Sequence, residues 1–510
     1  MGALVLVRKD CYYDSVLLMR LSQALRQLPG VEDAAVVMGT PANLDLLEAS
    51  GHAAAELVAA RPNDLVIAVR GAASAGQVEA AFAALVHAER PAAAAEIRPR
   101  TLGAALAAHP EANLVLISVP GEHAAREARR ALALGRHVMI FSDNVAIADE
   151  VALKCEAVRR GLLLMGPDCG TAIINGKPLG FANAVRRGPI GVIGAAGTGI
   201  QEVTSCIHRL GGGISQAIGV GGRDLSAAVG GLMTLLAIEA LAADPATAAL
   251  VVISKPPAPT VARAVVAALA AAGKPGVVHF VGAPPGAAAG APGIAFADSL
   301  AEAARLACRL VGLGGSEESP SKPDEEIVAE LARRLWSGVK LRGLFCGGTT
   351  GAEALAILAR GGLRVRSNLH HAEDLAAGGE EATGHLLLDL GGDDFTRGRP
   401  HPMIEPALRN ERLAVEMADA EVGLLLFDLV LGHGAHRDPA GVLAEGIAAA
   451  REAARSRGRD LTVIVSITGT EEDPQVLSEQ RRTLLDAGVV VAADNCAAAL
   501  LAAALLRRIQ

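Results

Sequence analysis

Four glycine-rich segments lie where an apolar run gives way to a helix-like one, and each could hold an anion. The first is Gly191-Val-Ile-Gly194-Ala-Ala-Gly197-Thr198-Gly199-Ile-Gln201-Glu202. Backbone N–H groups at a helix start lack intrahelical acceptors and sit at the positive end of the helix dipole, which suits phosphate or carboxylate. Glycines let a ligand approach the backbone closely, and Thr198 adds a hydroxyl donor. The pattern is neither a Walker loop nor a dinucleotide fingerprint, and a plain connection would use the same glycines.

The second segment is Gly219-Val-Gly221-Gly222-Arg223-Asp224, which follows another strand-like run. It faces the same crevice in an open α/β sheet, or it is a tight turn with a surface Arg–Asp pair. The third is Cys346-Gly347-Gly348-Thr349-Thr350-Gly351, an anion site by the same reasoning with two threonines to hand. The fourth is Gly432-His433-Gly434-Ala435-His436-Arg437-Asp438-Pro439. Its histidines, Arg and Asp offer a phosphate donor, a general acid or base, or a phosphoryl acceptor. A metal there needs a third ligand from elsewhere, and a polar surface turn is the plain alternative. Lys255, in Ser254-Lys-Pro-Pro257, ends a strand-like run on the edge expected for Gly197, as an anion contact or a surface lysine. Asp389, Asp393 and Asp394 could take a divalent cation, or form a solvated or helix-capping loop. His370-His371 with Glu373 reads as a solvated loop.

These segments are set in a chain of 510 residues, 51% hydrophobic but only 2% aromatic, with a net charge of −8. That apolar content excludes disorder. An acidic chain with one Trp and two Tyr lacks the basic footprint and stacking platforms of a nucleic-acid binder. No apolar run reaches the length of a membrane span, and Met1–Arg8 reads as a strand rather than a signal peptide. The seven cysteines are scattered without a C-x-x-C pair, which predicts free thiols in a reducing cytoplasm and no structural zinc.

Strand-like and helix-like runs alternate from end to end, which predicts α/β units with mainly parallel sheets. Residues 1–95 read as a small α/β domain of possible ferredoxin-like type: strands Ala3–Val7, Asp33–Met38 and Leu65–Val69, helices Ser15–Gln27, Leu44–Glu48 and Gly76–His87. A linker at Pro91–Pro99 leads to a second domain, 96–187, with strands Leu114–Val119, His137–Phe141 and Leu162–Met165. A third spans 188–314. The Pro/Ser-rich stretch opening 315–338 is a linker. A fourth domain, 339–510, carries strands Gly343–Cys346, His385–Leu390, Val422–Leu429, Thr462–Ile467 and Val489–Ala493. It ends in the apolar helix Ala497–Arg508, suited to a core or an oligomer contact.

Taken in order, the loops resemble the succinyl-CoA synthetase superfamily of acyl-CoA ligases, and within it the FdrA branch. Residues 112–309 are similar to its α subunit: Gly166-Pro-Asp-Cys-Gly170 to G-P-N-C-x-G, Gly197-Thr198 with Glu202 to S-G-T-x-x-x-E, Gly219–Asp224 to G-x-G-G-D. Residues 339–506 are similar to the C-terminal domain of its β subunit: Gly347–Ala354 to N-G-A-G-L-A-M, Leu388–Gly392 to L-D-V-G-G, Gly432–Ile447 to the G-G-I-x-R-C-D helix start. The resemblance implies a truncated Rossmann-like CoA-binding-type domain followed by two flavodoxin-like ligase domains. It also implies phosphate held between the Gly197 and Gly432 loops.

Three departures stand out. Lys274-Pro-Gly-Val-Val278 leads to Ala283-Pro-Pro-Gly286, and after that turn, where the superfamily carries its phosphohistidine, no histidine follows before the domain ends. Ser254-Lys255-Pro-Pro257 replaces the acidic segment that orients that histidine. Half of the CoA-binding domain and the whole nucleotide-binding domain are missing. What remains fits an acyl phosphate that brings its own activation. The FdrA branch is associated with purine and allantoin catabolism and with carbamoyl transfer to oxamate. The resemblance therefore implies a carbamoyltransferase subunit. The alternatives are an acyl-CoA synthetase that takes CoA, or ATP with Mg, through partner subunits, and a non-catalytic phosphate-metabolite scaffold.

His436, His433 and Asp438 would act in catalysis. Gly197, Thr198, Gly199, Gln201, Gly221, Gly222, Lys255, Gly347, Gly348, Thr349, Thr350, Gly432, Gly434 and Ala435 would bind the phosphate substrate, with no metal. A cytoplasmic homodimer within a hetero-oligomeric complex is expected, touching neither nucleic acid nor membrane.

Overall fold

The computed structural model describes residues 3–9, 11, 13, 15–40, 43–44, 47–48, 52, 60–88, 99–283, 291–313, 323–369, 384–396 and 399–509. The chain separates into two compact units, the first holding Met1–Arg100 and the second nearly all of Thr101–Gln510.

The first unit is built from β1 (Ala3–Arg8), α1 (Ser15–Arg26), β2 (Val31–Met38), β3 (Leu65–Gly71) and α2 (Ala75–Ala88). Its antiparallel sheet has the order β1-β3-β2, and one face buries Val36, Ile67 and Val69 under Leu21, Leu25 and Phe82. Of the helix expected at Leu44–Glu48, Leu44, Leu47 and Glu48 are described and helical, while most of the linker Pro91–Pro99 lies outside the described residues.

The second unit begins with α3 (Leu102–Ala108), β4 (Leu114–Ile117), α4 (Gly121–Ala133), β5 (His137–Ile140), α5 (Ile147–Arg160) and β6 (Leu164–Met165). These strands form a three-stranded parallel sheet. The chain then makes the hairpin β7 (Thr171–Ile174) and β8 (Lys177–Gly180). It continues through β9 (Arg187–Ala195), α6 (Gly197–Arg209), β10 (Ile214–Gly219), α7 (Leu232–Ala243), β11 (Ala249–Ser254), α8 (Pro259–Ala271), β12 (Gly276–Phe280), β13 (Ile294–Phe296) and α9 (Leu300–Leu310). All seven strands share one sheet, β13-β12-β11-β9-β10-β7-β8. The sequence reading ended the second domain at 187. The hairpin instead pairs with β10, and its apolar residues Ala172 and Ile173 are buried there.

The last part comprises α10 (Glu325–Ala332), β14 (Lys340–Phe345), α11 (Gly348–Arg360), β15 (Val365–Ser367), β16 (His385–Asp389), α12 (Asp393–Thr396), α13 (Ala407–Glu416), β17 (Val422–Val430), α14 (Pro439–Arg455), β18 (Thr462–Thr468), α15 (Leu477–Asp486), β19 (Val490–Ala492) and α16 (Asn495–Ile509). Its six strands are all parallel, in the order β15-β16-β14-β17-β18-β19. The expected linker 315–338 is interrupted by α10, whose Val328 and Leu331 bury against α16. The apolar α16 is core here, with Leu501, Leu505 and Leu506 enclosed. Among the described residues no helix is long and apolar enough to cross a membrane.

Strand order fixes where a ligand can sit. The parallel part of the seven-stranded sheet has the order 2-1-3-4-5, and its direction reverses between β9 and β11. The six-stranded sheet has the same order once the short edge strand β15 is set aside, and reverses between β14, β16 and β17. Crevices open at the carboxyl ends of strands at such switch points. Gly197 and Lys255 stand at the first, Gly347 and Asp389 at the second.

Candidate functional site

The two switch points meet. Helix α6 leaves β9 through Ala196, which gives no side-chain cap. Among the described residues the amides of Gly197, Thr198 and Gly199 have no acceptor, although Thr198 and Gly199 are buried. Buried backbone donors are nearly always paired, and open amides at a helix start suit an anion. Opposite it, α11 begins. The Thr349 amide donates to Thr198 Oγ1 at 3.3 Å, and a methyl group on Gly347 would lie 2.7 Å from that oxygen. A methyl on Gly199 would lie 2.8 Å from Thr349 Cγ2. Glycine at both positions is what lets the helix starts touch.

The α11 turn already holds an anion of the protein's own. Asp428, fully buried near the end of β17, accepts from the amides of Cys346 (2.7 Å) and Gly347 (2.9 Å) and from Thr350 Oγ1 (2.8 Å). Arg409 sits beside it, bonding the Asp428 carbonyl at 2.7 Å and the Cys346 thiol. The amides of Gly348 and Thr350 have no acceptor among the described residues. Asp389 stands next to them, 7% exposed. Its Oδ1 accepts from the Gly391 amide at 2.9 Å, and its Oδ2 has no partner among the described residues. Lys255 reaches the same spot: a methyl on Gly348 would lie 2.7 Å from Asp389 Oδ2 and 3.2 Å from Lys255 Nζ. Burial pushes the Asp389 carboxyl up to about 6, opposed by the charge of Lys255.

Gly221 and Gly222 flank the α6 start from the other side. Gly221 has φ +88° and packs on Pro167, and a methyl on Gly222 would lie 3.5 Å from Asp168 Oδ2. A cavity of about 10 Å³, room for roughly one water, is lined by Asp168, Gly197, Ile200, Gly219 and Gly221 among others. Asp224 is not part of a surface pair. It is fully buried, with Oδ1 2.8 Å from Lys154 Nζ, which also bonds Glu150 (2.8 Å) and the Val220 carbonyl (2.9 Å).

The Gly432 turn takes a different place. Gly432 (φ +115°) and His433 lie against Ala182, whose carbonyl accepts from the His433 amide at 2.8 Å. Gln475 brackets the turn through the Gly432 amide and the carbonyls of Gly432 and His436. A methyl on Gly434 would lie 2.9 Å from Phe181 Cδ1, and Ala435 is half-buried. Asp438 caps α14, accepting from Gly441 at 3.0 Å, and Gln480 accepts from Ala440. His436 Nδ1 accepts from the Asp438 amide, while the His433 side chain is exposed. The resemblance set the Gly432 and Gly197 loops face to face. Here the α6 start abuts Gly347–Thr349, and contact with the fourth loop falls to Gln201, which bonds the Leu431 carbonyl (3.3 Å) and Asn183 (3.2 Å). The first amides of α14 are taken by Asp438 and Gln480.

Three acids at this junction were not singled out as functional. Glu353 on α11 accepts from the Leu300 amide (2.7 Å), so one domain caps α9 of the other, and from Asn495 Nδ2 (2.8 Å). Glu202 on α6 bonds Thr468 and the Asn495 amide, and Asp494 is buried next to Asn495. Burial pushes Glu202 upward and Glu353 to about 7. The folded protein therefore holds a proton on Glu353 that the unfolded chain releases near its ordinary value of 4.5. This group's contribution to stability falls as pH rises from about 4.5 to about 7. Thermal unfolding of the wild type and Glu353→Gln across pH 5–8 should show the wild type losing more stability with rising pH. Parallel curves would contradict it.

Asp394 is exposed, and His370, His371 and Glu373 lie outside the described residues. Among the described residues no group of three His, Cys, Asp or Glu could hold a metal ion.

Three family models match: "AllF, heavy metal-associated domain" over residues 1–99, "CoA binding domain" over 185–282 and "CoA-ligase" over 344–505. The first of these segments holds a single cysteine, Cys11. The α subunit 2 of an ADP-forming succinate–CoA ligase from Archaeoglobus fulgidus is 28% identical over 116 residues, 22% of this chain and 40% of that one. An acetyl-coenzyme A synthetase structure from Ca. Korarchaeum cryptofilum aligns over 78% of this chain and 83% of its own at 16% identity, with a TM-score of 0.32. YahF, an uncharacterized protein of Escherichia coli K12, is 43% identical over 509 residues, 98% of each chain. With such identity along nearly its whole length, and with CoA-binding and CoA-ligase domains of the succinyl-CoA-synthetase type, the chain belongs to the family of YahF.

Proposed function

We propose that the chain is an FdrA-type subunit of an enzyme that uses an acyl phosphate, transferring a carbamoyl group from carbamoyl phosphate to an oxamate-like acceptor. The observation that carries this reading is the α6 start, with three unpaired amides beside the exposed Lys255. The phosphate would lie on the amides of Gly197, Thr198 and Gly199, with the Thr198 hydroxyl, Lys255 and the Gly221-Gly222 turn around it. Gly347–Thr350 would close the site from the second ligase domain. Fixed donors of this kind act where charge develops on the leaving phosphate, and each is worth on the order of 100- to 1000-fold in rate. Gln201, Gly432, Gly434, Ala435 and Asp438 would hold the neighbouring turn in shape. His433 or His436 would serve proton transfer to the leaving group. The match to an AllF domain agrees with an allantoin-related role. Assembly as a homodimer within a larger cytoplasmic complex belongs to the same reading.

A second reading, an acyl-CoA synthetase with partner subunits for nucleotide, is favoured by the CoA-binding and CoA-ligase matches. It needs a phosphoryl acceptor. His436 would serve through Nε2, because its Nδ1 accepts from a backbone amide.

Thermal unfolding with carbamoyl phosphate, phosphate, CoA and ATP with magnesium separates the readings. A ligand at 100 times its Kd adds about 2.7 kcal/mol. Saturable stabilisation by carbamoyl phosphate supports the first reading. Stabilisation by CoA with acid-labile phosphate on His436 moves it to the second, and stabilisation without turnover in any assembly leaves a scaffold. Lys255→Met should weaken carbamoyl phosphate binding about 10- to 100-fold, the worth of one charge-assisted hydrogen bond. The same titration at two salt concentrations checks it, since the wild-type affinity should fall with salt more steeply than the variant's.

A further inference from the structure

Resting on that reading, we propose that Asp389 takes the proton from the acceptor nucleophile as it attacks the acyl phosphate. A carboxylate that is almost wholly buried normally has both oxygens engaged. Asp389 has one. Oδ1 accepts from the Gly391 amide, its backbone is tied to Asn368 by two 2.8 Å hydrogen bonds, and Oδ2 is left without a partner at the start of α11. The missing side chain of Gly348 leaves that oxygen room, since a methyl there would meet both Oδ2 and Lys255 Nζ.

The other titratable groups are less suited to the task. Asp428, from β17, has its carboxylate filled by two amides and Thr350. His401 keeps Nδ1 for the Met403 amide, and burial pushes it down to about 4, so it stays neutral. Asp168 is exposed on the turn after β6, and its charge raises Asp389, as does that of Asp428. Lys255, after β11, opposes them and favours the ionised carboxylate. His436 is tied to the Asp438 amide in the Gly432 turn. Asp389 is thus a base held partly desolvated, with an affinity for protons above that of a surface carboxylate.

The step balances without an oxidant or reductant. The nucleophile's lone pair makes a bond to the acyl carbon, and the bond from that carbon to the phosphate oxygen breaks with its electron pair on phosphate. The nucleophile's proton moves to Asp389 Oδ2 and then to the released phosphate or to solvent. The substrate class this requires is an acceptor with an ionisable N–H, such as an amide or amine.

The test uses the full-length chain, in the assembly in which it purifies, with carbamoyl phosphate and oxamate as probes. Asp389→Asn keeps the acceptor for Gly391. It should keep stabilisation by carbamoyl phosphate, lose acceptor-dependent phosphate release by 100-fold or more, and lose the rise in kcat through pH about 6. Asp389→Glu should restore part of the rate. Phosphate release within threefold of wild type, an unchanged pH profile, or loss of carbamoyl phosphate binding together with turnover would each overturn the proposal. So would a wild type that binds carbamoyl phosphate but releases no phosphate with the acceptor. A wild type not stabilised by carbamoyl phosphate would overturn the function reading and this proposal together.

Discussion

Replacing Asp428 with Ala is expected to cost about 3–5 kcal/mol of stability, the range for breaking a buried charge pair by removing one partner. The side chain is fully enclosed in a strand, β17, whose nine residues are all buried. Its two oxygens satisfy the Cys346 and Gly347 amides and the Thr350 hydroxyl, and Arg409 lies beside it at 3.5 Å. Without the carboxylate, three donors and a guanidinium are left buried with too few acceptors. The Arg409 Nε already has none among the described residues. Chemical denaturation of wild type and variant measures the loss. Arg409→Met together with Asp428→Asn should cost less than the sum of the two single changes, because the double change removes both charges. The functional consequence follows from the same contacts. Asp428 holds the turn whose Gly347 lies against Thr198, and losing it should release the α11 start from the α6 start. Additive single changes, or a loss under 1 kcal/mol, would show that the turn holds itself.

That role illustrates what was and was not legible in the sequence. The glycine loops, the strand-to-helix alternation and the anion-binding potential of Gly197–Gly199 could be read directly, because each depends on residues adjacent in the chain. Which loop would face Gly197 could not. That depends on contacts between segments far apart in the chain: the Thr349 amide meets Thr198, while Gln201 meets the Leu431 carbonyl. A local signal for Asp428 did exist. A lone carboxylate in Leu424-Leu-Leu-Phe-Asp428-Leu-Val430 must be buried and must therefore find donors. Because Asp393 and Asp394 follow it, the sequence around Asp389 reads as a divalent-cation site or as a solvated or capping loop. In the structure it ends β16 and is enclosed, while Asp394 is exposed. Helix α10 was absorbed into a Pro/Ser-rich linker, although Asp324 caps it by accepting from the Glu326 amide and Val328 and Leu331 share one face. The hairpin β7–β8 follows the preceding domain directly in the chain, and only the strand order shows that it joins β10.

Lys154→Met should be the second large loss, about 3 kcal/mol or more, and it tests how the turn Gly219–Asp224 is held against the α6 start. The sequence shows Lys154 only as one more charged residue on a helix. In the structure its ammonium is entirely enclosed, bonding Glu150, Asp224 and the Val220 carbonyl. Arg223 closes the set, 2.8 Å from Glu150 Oε2. Two cations and two carboxylates thus balance. Methionine has a similar reach and fills the space, so packing is nearly conserved. What changes is that Glu150 and Asp224 then face each other with only the half-exposed Arg223 between them. Asp224 keeps three donors, the Met233 and Thr234 amides and the Thr234 hydroxyl, which limits the damage to the low end of the range. Because the strain falls on the segment carrying Gly221 and Gly222, the variant should lose affinity for carbamoyl phosphate in addition to stability. Lys154→Met with Asp224→Asn should recover more than 1 kcal/mol relative to additivity in urea unfolding. If the double variant is simply additive, the two charges do not act as a pair, and Thr234 and the backbone alone position the turn.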